Sequence, residues 1–268
     1  MKRTLKLVLY YFGYQLVFTI VASVISMVLA HLGMVDKDVA ILNATAIALL
    51  LSGIMMGWHL IHFKYITFGW KSFGEVPAKS LWLSIPFILA SMVFINLCSE
   101  FIDLPNWMEN DFFAMSRNLF GILSVAVMAP VVEEFLFRGA IEGHLLRQGK
   151  KPWAAIFISA LVFGLIHINP AQVPFAFAIG LVFGWLYYRT GSMVPGILGH
   201  FINNSIACIQ MATLSKEELH TKTADMIGQE ATLALFLASF IVMAGLFLYM
   251  KKHLPKAPEY KEETIKTI

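Results

Sequence analysis

The sequence contains few charged residues and only two cysteines, which disfavours a soluble domain and a disulfide-bonded fold. Asp, Glu, Lys and Arg make up 14% of the 268 residues, whereas they make up about 25% of a soluble domain. Hydrophobic residues reach 58% and occur in long segments along the whole chain, which predicts a polytopic membrane protein. Cys98 and Cys208 lie within apolar segments, and they are predicted to be buried hydrophobic residues rather than a disulfide or a catalytic thiol.

Several sequence signatures of other protein classes are also absent. The chain has no HExxH zinc motif, no GxSxG elbow, no rhomboid-like serine–histidine arrangement and no presenilin-like aspartate pair. The net charge is only +3 and no concentrated basic block is present, so we expect no nucleic-acid partner. No internal repeat is evident, which disfavours a transporter built from inverted repeats.

Eight apolar segments are candidates for membrane-spanning helices, because a helix needs about 20 residues to cross the hydrocarbon core. The predicted spans are about 7–30, 39–62, 80–102, 118–146, 152–168, 171–189, 193–213 and 230–250. The fourth is too long for a simple span, so we expect it to extend into the cytoplasm or to break near Pro130. The seventh carries several polar residues, which are tolerated only where they face protein or a wet cavity.

The basic residues are distributed unequally between alternate loops. If both termini are cytoplasmic, the opposite side of the membrane holds only four of them: Lys37, Arg117, Lys216 and Lys222. This asymmetry follows the positive-inside rule and predicts an even number of spans with cytoplasmic N- and C-termini. The loops 63–79 and 103–117 are predicted to contain interfacial helices. The charged tail 255–268 is predicted to be disordered.

The strongest candidates for chemistry are Glu133, Glu134 and Arg138, which lie in an apolar stretch. Each ionisable group in a membrane helix costs a few kcal/mol, so three together indicate a use. Residues four apart share a helical face, so Glu134 can pair with Arg138. Glu133 projects about 100° away from Glu134 and is left to act as a general base. The structural alternative is a buried ion-pair network that joins helices.

Two further pairs lie one helical turn apart in apolar segments: Phe163 with His167, and His200 with Asn204. Histidine and asparagine can donate hydrogen bonds to the negative charge of a tetrahedral intermediate. The structural alternatives are an interfacial His167 and a helix–helix hydrogen-bond clamp made by His200 and Asn204. A fully crossing fifth span would place His167 near the far surface, so either the site lies deep in the membrane or that span ends a turn earlier. The remaining histidines, among them His59, are predicted to be interfacial.

Taken in order, Glu-Glu-x-x-x-Arg (133–138), Phe-x-x-x-His (163–167) and His-x-x-x-Asn (200–204) resemble the CPBP family. This family comprises CAAX-processing proteases and bacteriocin-processing or immunity proteins, and is also called the Abi family. Each motif is weak alone, but three in order on apolar helices are specific. The resemblance covers about 118–207 as the catalytic core. It leaves 1–117 as N-terminal helices with interfacial loops, and 208–268 as a C-terminal helix with a cytoplasmic tail.

The resemblance implies an all-α membrane protein with about eight transmembrane helices and a polar intramembrane cavity. It implies that Glu133 and His167 activate a water molecule, while His200 and Asn204 stabilise the oxyanion. Three further positions are expected to support the site: Glu134, Arg138 and Phe163. We favour a site without a tightly bound metal. The alternative is Zn²⁺ held by Glu133, His167 and His200, with one position open for water.

The sequence therefore predicts an intramembrane endopeptidase that hydrolyses a peptide bond in a membrane-associated peptide or protein. Eukaryotic relatives suggest a prenylated CAAX substrate, but the short chain and compact loops resemble a bacterial member in the plasma membrane. Its substrate would then be a signal-peptide remnant, a peptide pheromone or a bacteriocin precursor. One alternative is a non-catalytic immunity or scaffold protein that binds a bacteriocin or a membrane partner. A second is a proton or ion transporter that uses the same ionisable groups as a relay.

Overall fold

The computed structural model describes residues 2–66, 76, 78–255 and 258–260. Within these residues the regular structure is helical and no β-strand occurs, which confirms the predicted all-α class. The helices are α1 Lys2–His31, α2 Lys37–His62, α3 Ala78–Ser99, α4 Glu109–Met115, α5 Leu119–Arg147, α6 Pro152–Leu165, α7 Val173–Thr190, α8 Val194–Thr213, α9 Lys216–His220, α10 Thr223–Ile227 and α11 Gln229–His253.

Five helices of the described chain are long and apolar enough to cross a membrane: α1, α2, α3, α5 and α11. Helix α6 is apolar but shorter. Helices α7 and α8 form where two further spans were predicted, so a helix occupies each of the eight predicted segments. These long apolar helices make the chain an integral membrane protein. Helices can cross the bilayer because they satisfy their backbone polar groups internally. The count of eight spans stays a prediction.

The two predicted interfacial loops have different outcomes. The second contains α4 (Glu109–Met115), so a helix does form there. Most of the first, 67–75 and 77, lies outside the described residues.

Part of the C-terminal tail is held against α7, although the whole tail was predicted to be disordered. The Tyr260 hydroxyl donates to the Tyr187 carbonyl at 3.0 Å and to the Tyr188 carbonyl at 3.2 Å. A carbonyl oxygen has two lone pairs, so the Tyr187 carbonyl accepts the Tyr260 hydroxyl in addition to the Gly191 N–H at 2.7 Å. The residues 256–257 and 261–268 lie outside the described chain.

Helix α5 does not break at Pro130, contrary to one of the two expectations for this long segment. Instead, two π-helical stretches, Leu123–Met128 and Phe135–Glu142, flank the α-helical turn Ala129–Glu134. A π-helical stretch widens the hydrogen-bond ladder from i−4 to i−5 and is frequent at functional sites. The ladder is thus altered on both sides of the turn that carries the two adjacent glutamates.

The described residues pack into two compact units, each discontinuous in sequence. One is formed by Met1–Tyr65, Met108–Leu136 and His200–Leu219. The other is formed by Ile66–Trp107, Phe137–Gly199 and His220–Ile268.

In the first unit, hydrogen bonds join α2 to the beginning of α5. The Asn118 side chain caps α5 through the Gly121 N–H and donates its Nδ2 to Asn43 Oδ1 at 2.7 Å. Ser124 Oγ donates to the Ala46 carbonyl at 2.8 Å. Interhelical hydrogen bonds of this kind stabilise helix pairs in a membrane, where lipid competes with apolar contacts. They fix the position of α5 about two and a half to four turns before its glutamates.

In the second unit, α6 and α7 approach closely at glycine positions. A Cβ on Gly180 would lie 3.1–3.3 Å from Phe163 and Ala160, and a Cβ on Gly164 would lie 2.9 Å from the Val173 carbonyl oxygen. Small residues at such crossings let helix backbones approach, and this is the main packing device of membrane helices. The contact places Phe163 against α7.

Candidate active site

The structure brings Glu133, Glu134 and His200 together in the first unit. The two glutamates occupy the last turn of the segment Ala129–Glu134, and both side chains are buried. His200 lies on α8 with 5% of its surface exposed. Its Nε2 is 3.8 Å from Glu133 Oε2, and its Nδ1 is 3.6 Å from Glu134 Oε1. One imidazole therefore lies between two buried carboxylates.

This arrangement has a direct electrostatic consequence. Two ionised carboxylates in a medium of low dielectric constant repel each other, and the repulsion is weakly screened because solvent is excluded. A protonated imidazole between Glu133 and Glu134 offsets that repulsion, whereas a neutral imidazole offers one donor and one acceptor nitrogen. The cluster of Glu133, Glu134 and His200 therefore has the donor and acceptor groups that proton transfer requires.

Tyr11 of α1 also contacts Glu133, and this contact was not predicted from the sequence. The tyrosine hydroxyl donates to Glu133 Oε1 at 3.1 Å. Tyrosines near the end of a span are typical of an aromatic belt, so the cluster of Tyr10, Tyr11 and Tyr14 carried no specific signal. The two oxygens of Glu133 consequently have different surroundings, with Oε1 facing Tyr11 and Oε2 facing His200.

Asn204 lies one helical turn after His200, as predicted, and its side chain bonds to the backbone of α5. Its Nδ2 donates to the Val125 carbonyl at 2.8 Å, and its Oδ1 accepts from Asn203 Nδ2 at 3.1 Å. The Ala129 N–H donates to the Ser124 carbonyl, five residues back. The next donor in that ladder would be residue 130, which is a proline without an N–H. The Asn204 amide therefore replaces the missing donor, and one of its two amide hydrogens is used in doing so.

His59 in the same unit, which was predicted to be interfacial, is buried within an aromatic cluster in the last turn of α2. Its Nδ1 lies 2.8 Å from the Tyr14 hydroxyl, and its ring packs against Tyr10, Phe63 and Tyr65 at centroid distances of 4.6–5.6 Å. These contacts connect α1 to the end of α2, so they hold the helix that carries Tyr11.

In the second unit, His167 follows the end of α6 rather than lying within it. The helix ends at Leu165, earlier than the predicted limit of 168. His167 Nδ1 is 2.8 Å from the Phe163 carbonyl oxygen. Since a carbonyl only accepts, Nδ1 carries the proton of the neutral ring and Nε2 carries the lone pair. The backbone thus selects the tautomer in which Nε2 can act as a base or bind a water hydrogen.

The chain around His167 is held by Asn169. Asn169 is fully buried, its Nδ2 donates to Asn106 Oδ1 at 2.7 Å, and its Oδ1 accepts from the Trp107 N–H at 3.0 Å. Between them, Ile168 has a φ of 57°. A β-branched residue in the left-handed region is strained, and such strain persists only where the surrounding structure holds it. The 105–107 segment and Asn169 therefore determine the course of the backbone next to His167.

Arg138 and Phe163 also belong to the second unit. The fully buried Arg138 donates its Nη2 to the Gly180 carbonyl at 3.2 Å. Its guanidinium lies 4.7 Å from the centre of the Phe163 ring and 5.6 Å from that of Phe183. The Phe163 ring in turn meets His167 edge-on at 5.1 Å. Phe163 is thus packed between Arg138 and His167, and its supporting role stays a prediction.

The pairing of Glu134 with Arg138 and the expectation of a site without a tightly bound metal both stay predictions. Glu134 and Arg138 lie in different units, and the contacts within each unit do not test their pairing. In the part of the chain that the structure describes, no group of three or more His, Cys, Asp and Glu side chains is arranged to hold a metal ion.

Comparison with known proteins agrees with the motifs. Residues 115–206 match a family described as type II CAAX prenyl endopeptidase Rce1-like, and this segment contains all seven predicted site residues. YdiL of Bacillus subtilis (strain 168), which carries the provisional name of a membrane peptidase, is 27% identical over 105 residues, covering 39% of this chain and 43% of YdiL. MroQ of Staphylococcus aureus (strain USA300), named a membrane-embedded CAAX protease, is 30% identical over 93 residues, covering 33% of this chain and 38% of MroQ.

The matches are partial in length. The chain spans about two fifths of the curated relatives it matches, 43% and 38% of their lengths. No solved structure gives a significant match.

The helices and the buried carboxylate–histidine cluster define an integral membrane protein with a polar site inside its helical core. The three ordered motifs and the family match over 115–206 support the resemblance to CPBP-family membrane proteases in this part of the chain.

Proposed function

We propose that this protein is an intramembrane endopeptidase that hydrolyses a peptide bond in a membrane-associated peptide or protein. The observation that carries the proposal is the placement of His200 between the buried carboxylates of Glu133 and Glu134. Buried charges are expensive and are retained mainly where they act. The family match over the same residues supports peptide-bond hydrolysis as that action.

Glu133 is assigned the role of general base. Its Oε2 takes a proton from water while the water oxygen bonds to the scissile carbonyl carbon. The proton then passes to the amide nitrogen, the carbon–nitrogen bond breaks, and an acid and an amine are released. His167 supports the attack through its Nε2 lone pair, which is directed away from the backbone because Nδ1 meets the Phe163 carbonyl.

His200 and Asn204 are assigned to the oxyanion. The imidazole can donate one hydrogen bond, and the second amide hydrogen of Asn204 can donate another. The bond from Asn204 to the Val125 carbonyl holds the amide in a fixed orientation, and donors fixed in advance stabilise developing charge most effectively. Glu134 is assigned a supporting role through its contact with His200. Arg138 and Phe163 are assigned supporting roles through their contacts with each other, with α7 and with His167.

The proposed substrate class is a peptide in or at the bilayer, because a polar site among apolar helices is reached from lipid. The name of MroQ describes a membrane-embedded CAAX protease, which supports a membrane-bound substrate. For a bacterial plasma-membrane protein with cytoplasmic termini, the candidates are a signal-peptide remnant, a peptide pheromone and a bacteriocin precursor.

The test is cleavage of a membrane-peptide library by the purified full chain in lipid, comparing the wild type with Glu133→Gln and His167→Ala. Glu217→Gln, an exposed acid on α9, is the matched control. We expect products from the wild type and the control but not from the two site variants. Cleavage by all four proteins, or by none while a cellular phenotype persists in all, would contradict the proposal and favour a binding role. Repeating the assay with a chelator distinguishes water activated by Glu133 and His167 from the Zn²⁺ alternative.

A further inference from the structure

We propose that Tyr11 is a positioning residue that fixes the orientation of the Glu133 carboxylate. This inference rests on the proposed function, since it concerns the base of that reaction. Tyr11 lies on α1, outside the segment 115–206 that matches the family. A residue supplied by the first helix thus completes the surroundings of the proposed base.

The geometry distinguishes the two oxygens of Glu133. Oε1 accepts the Tyr11 hydroxyl at 3.1 Å, and Oε2 lies 3.8 Å from His200 Nε2. A carboxylate that is bonded on one oxygen and faces an imidazole with the other cannot rotate about its last torsion without losing the hydroxyl bond. Tyr11 therefore keeps Oε2 as the oxygen that is left for the water proton.

The need for such a bond follows from the flexibility of glutamate. A Glu side chain has several rotatable bonds and loses rotamer freedom when it is fixed, and a general base works only within hydrogen-bond reach of the proton it removes. Within this unit, Tyr11 from α1 and His200 from α8 contact Glu133 on different oxygens. Removal of the hydroxyl takes away the hydrogen bond on Oε1 and keeps the contact of Oε2 with His200.

Tyr14 provides a matched comparison on the same helix. It lies about one turn after Tyr11, and its hydroxyl is 2.8 Å from His59 Nδ1 in the aromatic cluster. Both tyrosines therefore make one hydroxyl contact with an ionisable side chain of the same unit, but only Tyr11 contacts the proposed base. Tyr14→Phe removes the same atom from the same helix without touching Glu133.

The experiment measures kcat and KM for a cleaved membrane peptide with the wild type, Tyr11→Phe and Tyr14→Phe in lipid, together with the thermal unfolding of each. For Tyr11→Phe we expect kcat to fall by roughly 10- to 100-fold, because small misplacements of a reacting group have effects of this size. KM should stay within about twofold, because substrate contacts are kept. Tyr14→Phe should keep the wild-type kcat, and both variants should retain a cooperative unfolding transition.

The outcomes separate this inference from the proposed function. If the wild type cleaves and Tyr11→Phe has an unchanged kcat, the positioning role is wrong while the peptidase stands. Equal losses of kcat in Tyr11→Phe and Tyr14→Phe also contradict it, since they indicate a general effect of α1 packing. A wild type without any cleavage overturns both proposals together.

Discussion

The side-chain amide of Asn204 takes the place of the backbone N–H that Pro130 lacks. The Val125 carbonyl accepts Asn204 Nδ2 at 2.8 Å at the position in the π-helical ladder where residue 130 would otherwise donate. The histidine–asparagine helix is thus fastened to the glutamate helix through a backbone defect, one turn before the two carboxylates. The same side chain that is proposed to bind the oxyanion also stabilises the helix that carries the base.

This relationship predicts that the effect of removing the amide depends on Pro130. Asn204→Ala should lower the free energy of unfolding by about 1–3 kcal/mol, because it leaves a carbonyl without its donor. In a Pro130→Ala background, residue 130 regains an N–H, so the same substitution should be less destabilising. Unfolding of the four proteins in one detergent measures the difference. Equal effects in both backgrounds would show that the amide and the proline are independent.

The two adjacent glutamates should differ in their effect on catalysis. Glu133→Gln is expected to lower kcat by about 10²- to 10⁴-fold, the range typical of a lost general base. Glu134→Gln should have a smaller effect on kcat, because Glu134 is assigned a supporting role beside His200. Steady-state cleavage of one membrane peptide by both variants measures this order. The reverse order assigns the base to Glu134.

Asn169 should control activity although it is not assigned to the chemistry. Asn169→Ala removes the bonds to Asn106 and Trp107 and releases the strained backbone beside His167. We expect a loss of about 1–3 kcal/mol in the free energy of unfolding and a lower cleavage rate. Asn169→Asp is the matched control, because it keeps the acceptor for the Trp107 N–H but cannot donate to Asn106. The stability and the cleavage rate of Asn169→Asp should fall between those of the wild type and Asn169→Ala. If Asn169→Asp is as impaired as Asn169→Ala, the bond to Asn106 accounts for the whole effect and the acceptor for Trp107 for none of it.

Two helical glycines should respond to alanine with opposite signs. A Cβ on Gly164 would lie 2.9 Å from the Val173 carbonyl oxygen, which is backbone and cannot easily move. Gly164→Ala should therefore destabilise the protein by about 1–3 kcal/mol, the usual effect of overpacking. Gly13 on α1 has no atom within 4 Å of such a Cβ, so Gly13→Ala should stabilise it by about 0.5–1 kcal/mol through helix propensity. Thermal unfolding of both variants measures the contrast, and a stabilising Gly164→Ala would contradict the close approach of α6 and α7.

The sequence by itself determined the features that depend on neighbouring residues, namely where helices form and which side chains lie one turn apart. Apolar segments marked a helix at each of the eight expected places. The four-residue spacing put Phe163 beside His167 and put His200 one turn before Asn204, because 3.6 residues complete a turn. The order of the three motifs predicted a resemblance to a protease family, and the match over 115–206 supports it.

Only the tertiary structure decided which distant groups meet. Tyr11 and Glu133 are 122 residues apart, and Asn204 and Val125 are 79 apart. No periodicity relates such positions, because their contact depends on how whole helices pack. The continuation of α5 through Pro130 and the early end of α6 at Leu165 have the same cause. A helix boundary depends on which partners the backbone groups find, and here those partners come from other helices and from distant loops.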